Sequence, residues 1–297
     1  MTQDEHEHWR AIRRGATRRA LMEASLVLTA VDVPHVVVEE EVDWCLKVPD
    51  AQAPHAIAHL ERYRLENQPP PAPPAPAQYD SGLFGVLGYL LVIWAVPFLE
   101  ANGFFGWDWV AAGRIEAGAV KHGEWWRAVT ALTLHADLGH ILGNSAFGAL
   151  FGLFAGRYMG SGLAWLLILV AGAVGNEAAA WMRPDDFRSI GASTATFAAL
   201  SMSSAFVWRK GYFSGRGWKR AFAPVFGAVA LLSFTGAGGE DTDVLAHVTG
   251  FTAGLGLGIW AAGWPIRRLG RSGQVLCGCL AVAVVWVAWS LAGAAYG

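Results

Sequence analysis

The sequence predicts an all-α polytopic membrane protein with a small α+β domain at its amino end. Three observations carry this reading. Of 297 residues, 54% are hydrophobic and only 15% charged, against about 25% charged in a typical soluble protein. Charges gather in roughly the first 80 residues, and the remainder reads as apolar blocks long enough to cross a bilayer as helices. Between the two regimes stands PPPAPPAPA (69–77), a stiff extended linker with no core of its own. The net charge of −2 gives no sign of a nucleic-acid partner. Cys45, Cys277 and Cys279 offer neither a disulfide framework nor metal-ligand spacing with histidine.

Taken in order, the chain opens polar and basic with no cleavable signal, so the first apolar block is expected to act as the membrane signal. ATRRALMEASLVLT (17–30) has helical apolar spacing, HVVVEEEVDWCLKV (35–48) reads as two short strands, and APHAIAHLERYRLEN (53–67) as an amphipathic helix. These form a domain over 1–68, followed by a Pro/Ala-rich linker over 69–81. Either a partner-binding module or a passive tether fits its composition. Seven spans are expected, near 83–99, 138–156, 162–182, 192–208, 221–237, 244–263 and 274–294. The first six make a core over 82–264; a basic loop and an extra helix occupy 265–297. Between the first two spans, Glu100 to Leu134 holds Trp107, Trp109, Trp125 and Trp126 with Arg127 adjacent. Such aromatic-rich amphipathic segments lie in the membrane interface as a hairpin or short helices.

The loops set an orientation. Arg209, Lys210, Arg216, Lys219 and Arg220 lie between spans four and five, and Arg267, Arg268 and Arg271 between six and seven. Glu240, Asp241 and Asp243 precede span six. Basic loops stay inside, which puts the amino-terminal domain in the cytoplasm and the carboxyl end outside, in a bacterial cytoplasmic membrane. Spans two, four and six then all begin on the outer side, and their first turns hold His140 and Asn144, Ser193, and His247.

A serine hydroxyl becomes a nucleophile when a neutral imidazole accepts its proton. Ser193 follows Gly191-Ala192 at a helix start, where unpaired backbone N–H groups favour developing negative charge. For Ser193 to meet His247, two helices must approach closely. Gly250, Gly254 and Gly258 on span six, with Ala195, Ala198 and Ser201 on span four, offer small faces for this. His140 and Asn144 are four apart and share a helical face. They can donate to an oxyanion, or serve as interhelical hydrogen-bonding glue. His135 is expected to tie the interfacial segment to span two. Asp243 is expected to be a solvated loop acid, leaving a dyad rather than a triad. Glu177, an intramembrane acid, reads as structural or peripheral.

Together these residues resemble the rhomboid family of intramembrane serine proteases over about 83–263. The resemblance rests on Trp126-Arg127, a His-x4-His-x3-Asn pattern (His135, His140, Asn144), Gly175-Asn176, Gly191-Ala192-Ser193, and Ala246-His247-x2-Gly250-x3-Gly254. It implies a six-helix bundle with a water-filled outward cavity, a Ser193–His247 dyad and oxyanion binding by His140 and Asn144. It also implies membrane-protein substrates with one transmembrane segment in the lipid bilayer, cut near its outer end where the helix is unstable, and no metal or organic cofactor. The extra helix matches the six-plus-one variety. One position departs: Thr194 stands where family members usually have Gly, and a β-branched residue there crowds the turn.

Three functions therefore compete. The dyad motivates a serine endopeptidase. Thr194 motivates a pseudoprotease that binds transmembrane helices without cutting them. A transporter using the intramembrane His, Asn and Glu would need repeated halves or broken helices, which the sequence lacks.

Overall fold

The computed structural model describes residues 8–40, 42–68, 78–212, 217–235 and 243–296. The chain divides into two compact units, Met1–Pro71 and Ala72–Gly297. The expected linker segment 69–77 and the loop charges Arg216, Glu240 and Asp241 lie outside the described residues.

In the amino-terminal unit the order is β1 (Trp9–Gly15), α1 (Arg18–Ala30), β2 (Val36–Glu39), β3 (Trp44–Pro49) and α2 (Ala53–Glu66). The antiparallel sheet has the order β1-β3-β2. Leu46 and Val48 of the central strand pack on Leu21, Leu28 and Ala56 of the two helices. Thr17 caps α1, its side chain accepting from the Ala20 N–H at 3.4 Å. The sequence reading missed β1. Its register shifts between Ala11 and Arg13, and a bulge breaks the alternation by which a strand is read.

The second unit runs α3 (Leu83–Ala101), α4 (Trp109–Gly113), β4 (Ile115–Glu116), α5 (Ala117–Lys121), α6 (Arg127–Thr130), α7 (Leu138–Met159), α8 (Ser161–Trp181), β5 (Arg188–Ser189), α9 (Ser193–Arg209), α10 (Trp218–Ala221), α11 (Ala223–Thr235), α12 (Val244–Ala262) and α13 (Gly270–Tyr296). Among the described residues, five helical stretches are long and apolar enough to cross a membrane: α3, α7, α8, α12 and Ile266–Tyr296. The other two expected spans differ. α11 is shorter, and α9 has 17 residues with four serines and two threonines. α9 can be this polar because it faces protein: 13 of its 17 residues are buried. Ser201, Ser203 and Ser204 return their hydroxyls to carbonyls of α9 itself. A helix wrapped by other helices needs no lipid face, so its apolarity does not report its place.

Helix α9 lies at the centre, against α12, α7, α8 and α11. The segment between α3 and α7 folds as short helices, as expected. Arg127 anchors it from within at 1% exposure. Its Nε donates to Glu124 Oε2 (2.6 Å), and Nη1 to the carbonyls of Ala111 (3.0 Å) and Arg114 (2.8 Å). A buried cation is tolerable only with acceptors and a counter-charge of this kind. β4 pairs with β5, joining this segment to the loop that leads into α9.

Candidate active site

Gly191 has φ +134°, a region L side chains avoid. A Cβ there would also stand 2.6 Å from His140 Nε2. Glycine therefore lets the chain turn into α9 with the His140 ring against its backbone. Its N–H donates to the Ala131 carbonyl at 2.9 Å, which fixes the turn before Ser193. Ser193 opens the helix partly exposed, while Thr194 behind it is buried.

His247 lies in the first turn of α12 and is 6% exposed. Its Nε2 is 2.8 Å from Ser193 Oγ, and its ring centroid is 4.6 Å from that of Phe197. Asp243 caps α12, accepting from the Ala246 N–H at 3.2 Å. The same oxygen accepts from Arg183 Nη2 at 3.1 Å, and the carboxylate side chain is only 14% exposed. The sequence reading of Asp243 as a solvated loop acid is corrected. It is a paired helix cap, because the loop after α8 brings Arg183 over it.

The Ser193–His247 contact lies where α9 and α12 approach closely across glycines of α12. A Cβ on Gly250 would stand 2.7 Å from Thr194 Cγ2, on Gly254 2.7 Å from Ala198 Cα, and on Gly258 2.9 Å from Met202 Cα. These approaches allow only glycine. One sequence assignment shifts: Ala195 faces Gly172 of α8 rather than α12, since a Cβ on Gly172 would meet the Ala195 Cβ at 2.8 Å. Thr194, expected to crowd its turn, has room. Its Cγ2 lies between Gly175 of α8 and Gly250 of α12, neither of which has a side chain to displace it.

Asn144 is buried at 6% exposure, and its Nδ2 has no hydrogen-bond partner. His140 Nδ1 accepts a long bond from the Ala136 N–H (3.4 Å). Its own N–H is capped by Asp137 Oδ1 (2.8 Å). His135 packs edge-on against the His140 ring, centroids 5.2 Å apart. Both of its ring nitrogens are buried without partners. Its contact with α7 is one of rings. Burial, then the neighbouring His140, pulls its pKa down to about 4.

Ser193, His247, His140 and Asn144 all line one cavity of about 920 Å³, with Phe147, Phe197, Arg183 and Asp243. This volume is ample for part of a polypeptide. Among the described residues no three His, Cys, Asp or Glu side chains converge as a metal would require. Chemically, the hydroxyl can pass its proton to the imidazole at hydrogen-bond distance.

Two further residues pack around α6, the short helix that leads into the turn Ala131–Thr133. Trp126 packs with Trp109, Leu134 and Trp289. Asn176 Nδ2 donates to the Ala128 carbonyl at 3.0 Å, fully buried. The sequence pairs Asn176 with Gly175 but carries no local sign of this longer-range bond. Glu177 accepts from Trp181 Nε1 at 3.1 Å within α8 and does not line the cavity.

Residues 122–264 match the Rhomboid domain family. Over 171 residues the chain is 27% identical to the Bacillus subtilis strain 168 protein named Putative rhomboid protease YdcA, covering 57% of this chain and 83% of that protein. It is 36% identical over 91 residues to Rhomboid protease GluP of the same strain (31% of this chain, 18% of that protein). To Rhomboid-like protease 3 of Toxoplasma gondii it is 30% identical over 148 residues (49% and 55%). The last two matches span less than two thirds of those proteins. Several helices long enough to cross a bilayer and the matched domain lead to one assignment: this chain carries a Rhomboid domain, over residues 122–264, among its membrane-length helices.

Proposed function

We propose that this chain is an intramembrane serine endopeptidase, cutting transmembrane segments of membrane proteins with a Ser193–His247 dyad. The observation that carries the reading is the 2.8 Å separation of Ser193 Oγ and His247 Nε2 beside a cavity. In the reaction, Oγ forms a bond to the scissile carbonyl carbon as its proton passes to Nε2. The tetrahedral oxyanion then collapses, the C–N bond breaks, and His247 returns the proton to the leaving amine. Water repeats the sequence on the acyl-enzyme and frees the serine. The unpaired Nδ2 of Asn144 supports a role in binding the oxyanion. His140 supports the same role: with Nδ1 accepting from Ala136, the remaining proton is on Nε2, which faces Gly191 and the start of α9.

The finer architecture belongs to the same reading: a six-helix core with a seventh helix after it, and an amino-terminal domain in the cytoplasm of a bacterial cell. The pseudoprotease alternative rested on Thr194. The side-chain-free notch that receives its methyl group supports the endopeptidase reading over that alternative. Co-expression with a reporter single-span membrane protein tests the proposal. Wild type is expected to cleave it and Ser193→Ala to insert, fold and leave it whole; equal cleavage by both would refute the dyad.

A further inference from the structure

Helix α13 lies beyond the matched domain, which ends at residue 264, yet it is clamped at both ends to the scaffold of the site. Near its start, Gln274 bridges the break between α7 and α8. Its Oε1 accepts from the Leu163 N–H and its Nε2 donates to the Met159 carbonyl, both at 2.9 Å. At the other end, Trp289 Nε1 donates to Thr133 Oγ1 at 3.1 Å, a buried bond between side chains 156 positions apart. The Trp289 ring faces Gly113 and stacks obliquely on Trp109, centroids 4.8 Å apart. Tyr296 donates its hydroxyl to Glu124 at 2.9 Å, and its ring lies 4.7 Å from the Arg127 guanidinium carbon.

What Trp289 grips is the turn that holds the serine. Thr133 Oγ1 donates onward to the Thr130 carbonyl at 2.7 Å, closing the turn Ala131–Thr133. Within that turn the Ala131 carbonyl receives the Gly191 N–H at 2.9 Å, two residues before Ser193. Leu132 packs at Gly172, where Ala195 of α9 also lands. The same short turn is thus bound by α13 and by the strand entering α9.

We propose that α13 is a working part of the site, with Trp289 and Thr133 as positioning residues that set where the Ser193 hydroxyl stands relative to His247. This rests on the proteolytic reading above. Reactivity is steep in such geometry, since displacements near 1 Å cost about 100-fold in rate.

The test uses the full chain in bilayers. Three quantities are read: the rate at which a fluorophosphonate labels Ser193, kcat and KM on the reporter substrate, and thermal stability. Thr133→Val and Trp289→Phe are each expected to lower labelling rate and kcat about tenfold, with KM within about twofold and Tm within a few degrees. Thr133→Ser, which keeps the hydroxyl, restores most of the rate. The double variant is no slower than either single one, because both break one linkage. Variants that label at wild-type rate, or slow only as folded protein is lost, would overturn the proposal while leaving the protease reading intact. A wild type that neither labels nor cleaves would overturn both.

Discussion

Replacing Gly250 with Ala tests the claim that backbone contact between α9 and α12 sets the catalytic distance. The added Cβ would lie 2.7 Å from Thr194 Cγ2, and closer still to the Thr194 carbonyl, where ordinary contact begins at 3.4 Å. Relieving the side-chain contact alone needs an opening of about 0.7 Å. His247 is one turn away on the same helix, so its 2.8 Å contact with Ser193 would stretch to about 3.5 Å, the limit at which a hydrogen bond is lost. Misplacement of this size costs on the order of 100-fold in kcat. The stability cost is smaller: about 1–3 kcal/mol of overpacking, offset by up to ~1 kcal/mol of helix propensity. Gly256→Ala is the control, since a Cβ there meets nothing within 4 Å. The assay is reporter cleavage by purified protein, with folding followed by thermal melts. Gly256→Ala is expected to match wild type. If folded Gly250→Ala keeps wild-type kcat, then glycine contact does not govern the dyad and the reasoning fails.

Two further outcomes follow from the same geometry. Asn144→Ala is expected to lower kcat by about 10²–10³ with little change in Tm, because its buried Nδ2 has no partner in the resting protein to lose; an unchanged kcat would remove Asn144 from the oxyanion site. His135 introduces a pH dependence of stability. Its folded pKa of about 4 lies below an unfolded value near 6.5, so between these pH values the unfolded chain binds more protons. The stabilisation from neutral His135 is complete above about pH 6.5 and is lost as pH falls toward 4, roughly 2 kcal/mol of it by pH 5. Melts of wild type should fall over this range, and those of His135→Phe should fall less; parallel curves would show that His135 is protonated without penalty.

The helical character of the membrane unit and the residues gathered at its cavity were legible because both are local signals. A 20-residue apolar run states its own hydrophobic requirement; His140, Asn144 and His247 stand at the polar start of such runs, and Ser193 at the start of a shorter, more polar helix. Orientation arguments from Arg267 or Arg209 needed only charge and position. The amino-terminal helices were likewise visible in their periodicity, whereas β1, with its bulge, was not.

Tertiary structure decided what depends on two backbones meeting. Nothing around Thr194 in the chain announces that Gly175 and Gly250 clear a space for its methyl group. Nor does the Asp243 neighbourhood disclose Arg183, or Trp289 its bond to Thr133. The polarity of α9 makes sense only once other helices surround it. Sequence alone determined which chemical groups are present and which begin a helix, since propensity and hydropathy act over a few residues. The distances between those groups come from close packing of glycine and alanine faces far apart in the chain, and such packing is a property of the assembled bundle.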